Sequence, residues 1–141
     1  MNRINDVALL VGRLCMAALF LPAGWGKLAT FAGFAKGLGG LPFMPELWAA
    51  AAVAVEVLGS LLLVAGLFTR WAAAALIAFT LMATATAHRY WDYSDPQQRR
   101  AQNIHFYKNV AIAGGLLFLF VSGAGGIGMD SRRRGTPGGN R

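Results

Sequence analysis

Two charges of opposite sign break two apolar runs. Glu56 sits inside Leu47–Phe68, a run that carries no other charge and is long enough to cross a bilayer, and Arg13 interrupts the first run, Val7–Leu28. On insertion scales a charge at the bilayer centre costs about 2.5–3.5 kcal/mol, so it faces the bundle interior, a partner charge or a wet cavity. A carboxylate so placed can hold or pass a proton, and a neighbouring arginine can hold its charge. At 1.5 Å per residue, Arg13 lies roughly 10–13 Å into its run from the side of the termini. Glu56, on an antiparallel run, lies roughly 18–20 Å from the same side. The two side chains are long enough to bridge that gap, which predicts an Arg13–Glu56 pair. One reading is a structural ion pair that sets helix register; the other is a proton- or ligand-handling site. Ala52 and Ser60, four residues either side of Glu56, form a small-residue stripe that permits close helix approach.

A second constellation gathers at the opposite membrane face. Lys27 ends the first run, His88 ends the third, and Lys108 with Asn109 opens the fourth. Three cationic or protonatable groups brought together require an anion, a polar ligand or a carboxylate such as Glu46 among them. Thr80, Thr84 and His88 recur every four residues and share one helix face. They line a polar path toward Glu56, or else their hydroxyls bond to their own helix backbone. His88 and His105 are the two imidazoles, with Asp92 and Asp95 between them, but the spacing matches no zinc motif. Trp25, Trp48, Tyr90, Trp91 and Tyr107 read as an interfacial aromatic belt, or as a ring-stacking entrance for a flat ligand. With no Walker loop, dinucleotide fingerprint or serine elbow, electron chemistry here needs a bound quinone, haem or flavin, or a partner subunit.

The elements that must position these residues are membrane spans. Of 141 residues, 56% are hydrophobic and 13% charged, about half the charge of an ordinary soluble domain at about 25%. The predicted fold is all-α: an antiparallel bundle of four transmembrane helices at about 7–28, 47–68, 71–90 and 106–124, within one domain over 1–130. Runs of about 20 residues match a hydrocarbon core of about 30 Å. The first run exceeds a signal-peptide core of about 7–15 residues and holds Arg13, so it is read as a retained span. The glycine- and proline-rich connection Ala29–Pro45 reads as a loop or short interfacial helix, with Phe31, Phe34 and Phe43 dipping into the headgroups. The turn at Thr69-Arg70 is so short that spans two and three must be antiparallel neighbours. Residues 131–141 form a basic tail with the composition of disorder.

Net charge is +7, but the basic residues sit in loops and tails, as membrane flanks do. The partner this implies is the lipid bilayer rather than nucleic acid. Arg132, Arg133 and Arg134 abut the last span and anchor headgroups; with Arg70 in the shortest turn they place both termini in the cytoplasm. Cys15 is the single cysteine, so thiol–disulfide exchange would need a thiol from a partner.

In order and spacing the chain resembles the DoxX family. The features are Arg13, then Gly24-Trp25-Gly26-Lys27, Glu56, and Gly66-Leu67-Phe68-Thr69-Arg70. They continue with His88-Arg89-Tyr90-Trp91-Asp92, His105-Phe106-Tyr107-Lys108-Asn109, Gly114-Gly115 and Gly125-Gly126-Ile127-Gly128-Met129-Asp130. The resemblance implies a bacterial four-helix inner-membrane protein and a loose association with redox biology. One branch of that family includes a subunit of an archaeal thiosulfate:quinone oxidoreductase, and others are linked to oxidative-stress complexes. This chain has neither a cysteine pair nor an added soluble domain, so a thiosulfate activity is not carried over. Lys27, Glu56, His88, Lys108 and Asn109 are the site residues that the resemblance implies.

The expected function is a quinone-interacting or redox-associated membrane subunit, working with a redox partner protein or as a homo-oligomer. Glu56, Arg13 and His88 are the expected catalytic residues: Glu56 takes or gives a proton, Arg13 holds its charge, and His88 ends the proton path and meets the ligand, which Lys27, Lys108, Asn109 and Trp91 bind. Two rival readings are an accessory or assembly protein with no reaction of its own and a small proton-coupled transporter.

Overall fold

The computed structural model describes residues 3–40 and 44–134. Six helices follow in order: α1 (Arg3–Ala29), α2 (Phe31–Gly37), α3 (Pro45–Ala65), α4 (Thr69–Ala87), α5 (Pro96–Ser122) and α6 (Met129–Arg134), with a 3-10 turn over Tyr90–Asp92 before α5. Among the described residues four helices are long and apolar enough to cross a membrane. The chain is thus an all-α, antiparallel four-span bundle. α1 packs chiefly on α3, α3 on α4 and α4 on α5, while a lighter α1–α5 contact closes the ring.

Each boundary has a local cause. α3 opens on Pro45, which lacks an N–H at a position where none is needed. It closes on Gly66, whose left-handed backbone (φ 63°) returns its N–H to the end of α3. Leu67 and Phe68 complete the turn, and α4 runs back antiparallel. α5 starts ten residues before the expected span, because Asp95 caps the helix through Gln98 N at 2.8 Å and Pro96 takes the first position. Apolar length marks the hydrocarbon, whereas the capping pair marks the helix; the polar first turns of α5 carry it out of the bilayer. α4, read as extending toward Tyr90, ends at Ala87 with His88 as its cap.

The core is small and interlocked. Phe20, Leu63, Ala72, Ala73, Leu76, Leu116 and Leu119 are buried together. Large apolar residues such as Leu58, Trp71, Leu117, Phe118 and Val121 stay exposed, as lipid-facing positions must. Helix association in lipid depends on close packing rather than apolar burial, and Gly24 supplies it for α1 and α3. A Cβ at that position would fall 2.9 Å from Glu56 Cβ and from a Val57 methyl.

The ends nearest the termini are tied by polar contacts. Asp6 accepts from Gly126 N at 2.6 Å, and Asp130 caps α4 by accepting from Phe68 N and Thr69 N at 2.8 and 3.0 Å. Arg70 donates to the Val121 carbonyl at 3.0 Å. The first connection contains the short helix α2, but Phe34 turns toward the protein rather than the headgroups; Phe43 lies outside the described residues. The region read as a disordered tail begins as helix through Arg134, and 135–141 lie outside the described residues.

Candidate functional site

Glu56 lies on the buried face of α3 and is 3% exposed. Its partner is Lys27, not Arg13. Lys27 Nζ donates to Oε1 at 2.7 Å and to Oε2 at 2.6 Å, so both carboxylate oxygens share one ammonium. Ser60 Oγ donates to the Glu56 backbone carbonyl at 2.5 Å. The Lys27 ammonium also lies 5.7 Å from the centroid of Phe34 and 5.5 Å from that of Phe79, within cation–π range. A carboxylate and two aromatic faces therefore hold one cation beside the apolar wall.

The expected Arg13–Glu56 pair is overturned by the direction in which helical side chains point. They tilt toward the N-terminus of their own helix. Glu56 is level with Gly24, one turn before Lys27, so Lys27 leans back onto it. Arg13, on the same helix, leans in the same direction, which carries it away from Glu56 and toward the termini. There it donates to the Leu63 carbonyl at 3.3 Å and to the Ile127 carbonyl, with Asp130 as its electrostatic partner. Only 1% exposed, Arg13 joins α1 to the end of α3 and to the glycine loop before α6. That placement separates Arg13 from the Lys27–Glu56 pair.

A cavity of about 400 Å³ opens beside the Lys27–Glu56 pair. Leu19, Phe20 and Ala23 of α1, Ala52 of α3, Phe79 and Ala83 of α4 and Ile112 of α5 make its apolar wall, and Phe34 and Leu38 reach it from α2 and its cap. Lys27, Glu56, Thr80, Thr86, His88, Lys108 and Asn109 contribute the polar groups. The structure thus brings Lys27, His88, Lys108 and Asn109 onto one cavity, with Glu56 rather than Glu46 as the carboxylate among the cations.

His88 and Lys108 are held by residues that the sequence reading did not single out for this role. His88 Nδ1 lies within hydrogen-bond distance of the Gln102 side-chain amide, at 2.8 Å from Oε1. The His105 ring stacks on His88 at 5.2 Å, and its Nδ1 accepts from Lys108 at 3.2 Å. The signal for Gln102 was available: it lies three residues before His105, on the helix that Asp95-Pro96 starts.

Two further expectations change. Trp91 packs edge-on against Tyr90 and Phe106, at 5.1 and 5.9 Å between ring centroids, and is not among the cavity-lining residues. Thr80 and Thr84 donate to the carbonyls of Leu76 and Thr80 at 2.7 and 2.6 Å. Thr84 is buried away from the cavity, so own-helix bonding, rather than a continuous polar path, accounts for the stripe. Among the described residues no cluster of His, Cys, Asp and Glu is placed to hold a metal.

Fold and site together define a small polytopic membrane protein with an ion pair at the wall of an intramembrane cavity. The family model named DoxX matches residues 8–89, and the chain belongs to the DoxX family. It is 37% identical over 129 residues to the inner membrane protein YphA of Escherichia coli K12, covering 91% of each chain. It is 32% identical over 133 residues to the inner membrane protein YqjF of the same organism, covering 92% of this chain and 95% of the other. No solved structure matches.

Proposed function

We propose that this DoxX-family chain is an inner-membrane, redox-associated subunit that holds a quinone headgroup in the cavity beside Lys27 and Glu56. The names of both E. coli relatives support the inner-membrane location. The observation that carries the ligand is the Lys27 ammonium. It has three N–H donors, and the two bonds to Glu56 leave one for a carbonyl oxygen in the cavity. The walls fit such a group: the volume falls in the range of ligand pockets, about 300–1,000 Å³, which are apolar with a few placed polar groups. A quinone bound there would carry electrons and protons between membrane partners. Lys27 fixes its oxygen, Phe34 and Phe79 offer ring faces, and Glu56 is the carboxyl group placed to hold a proton.

The test is extraction and mass spectrometry of the quinones retained by protein purified in mild detergent, with duroquinone quenching of tryptophan fluorescence, to which Trp48 on the cavity lining contributes, as a second readout. Wild-type protein retains quinone and Lys27→Met retains at least about tenfold less, since a hydrogen bond from a charged donor contributes about 1.5–3 kcal/mol. Protein that retains none and shows no quenching refutes the reading. The accessory-protein reading draws on one observation, that the Lys27–Glu56 pair engages both carboxylate oxygens without help. It predicts that a Lys27→Met/Glu56→Leu double variant still supports every partner.

A further inference from the structure

The charges around the cavity select among ligands. Lys27 and Glu56 cancel each other. Among the described residues the remaining titratable groups on the lining are His88, at the end of α4, and Lys108, from α5; α2 and its cap supply Phe34 and Leu38, and no second carboxylate lines the wall. His105, stacked on His88 and bonded to Lys108, adds a third basic group at this end. With the pair cancelled, the net charge along the lining is positive, and a low-dielectric cavity so lined focuses its field and draws in the opposite charge.

We infer that the cavity takes an organic anion with a flat apolar body, and that this anion displaces Glu56 from Lys27 as Glu56 takes up one proton. The inference rests on the reading of Lys27 as the ligand-binding donor, but it commits to the ligand's charge. A neutral carbonyl has no charge with which to displace a carboxylate, so it accepts the third N–H and leaves the pair intact. An anion competes for the two N–H bonds that Glu56 holds. Once it takes them, the carboxylate would stand unpaired in an apolar wall at 3% exposure, an arrangement that buried charges avoid by neutralising. The balance is simple: one anion enters, one proton passes from water to a Glu56 oxygen, Lys27 keeps its charge, and the cavity's net charge is unchanged. Binding of anion and proton is therefore reciprocal.

The test uses wild-type protein in lipid nanodiscs, with empty nanodiscs as the blank. The anionic probe is 2-naphthalenesulfonate, which is ionised at every working pH and brings no proton of its own. The neutral comparison is duroquinone. Titration calorimetry in two buffers of different protonation enthalpy counts the protons taken up. Sulfonate affinity should rise about tenfold for each unit fall in pH, as linkage to one proton requires, with about one proton absorbed per site. Duroquinone affinity should stay flat over the same range. Glu56→Gln should flatten the sulfonate slope, while the wild-type slope and proton count need no variant.

Sulfonate that fails to bind, or binds without proton uptake, overturns the inference. So does a slope that survives Glu56→Gln and disappears in His88→Gln. Duroquinone binding without sulfonate binding removes the anion and leaves the quinone reading standing. Proton-linked sulfonate binding without duroquinone binding does the reverse.

Discussion

Two double-mutant cycles separate the pairing that the structure shows from the one that charge and depth alone suggest. The first combines Lys27→Met with Glu56→Leu, the second Arg13→Met with Glu56→Leu. Breaking a buried pair from one side costs about 3–5 kcal/mol because the other charge is left behind. The Lys27 side chain is 28% exposed, so water reaches one partner, and the expected coupling energy falls to about 2 kcal/mol. Arg13 acts elsewhere: its bond to the Leu63 carbonyl puts it seven residues along α3 from Glu56, about 10 Å. At that separation, with no shared partner, the effects should add within about 0.3–0.5 kcal/mol. Arg13→Met should still be costly, at about 2–4 kcal/mol, since two carbonyls lose a charged donor at about 1.5–3 kcal/mol each. Part of that returns because Arg13 Nε is buried without a partner. Reversible unfolding in mixed micelles against SDS mole fraction, read by tryptophan fluorescence, gives all the energies. Coupling above about 1 kcal/mol between Arg13 and Glu56, or none between Lys27 and Glu56, would refute the site as described.

Gly24→Ala should destabilise by about 1–3 kcal/mol, because its Cβ would meet the Cβ of Glu56 and the Val57 backbone; the same unfolding assay reads it. Gly26→Ala, with nothing within 4 Å, should be neutral or stabilise by up to about 1 kcal/mol through helix propensity. Both termini are expected in the cytoplasm, from the charges at Arg70 and Arg132–Arg134. A C-terminal alkaline phosphatase fusion should therefore be inactive and a green fluorescent protein fusion bright, and the opposite pattern would invert the topology.

Four spans and their antiparallel order were legible in the chain, because an apolar run of fixed length is a one-dimensional property that the bilayer reads directly. So was the burial of Glu56 beside a partner, since a lone carboxylate in such a run has to be buried and partnered. The gathering of Lys27, His88, Lys108 and Asn109 followed from their shared end of the bundle. The choice between two cations for one carboxylate was not legible. Arg13 and Lys27 each lie along α1 within reach by length alone, and the tilt of side chains toward the helix N-terminus, with the contact at Gly24, decided for Lys27. Tertiary structure also decided what Arg13 does, because its acceptors are backbone carbonyls at positions 63 and 127. Every residue has a carbonyl, and only the fold determines which ones lose their helical partners and turn toward a buried guanidinium.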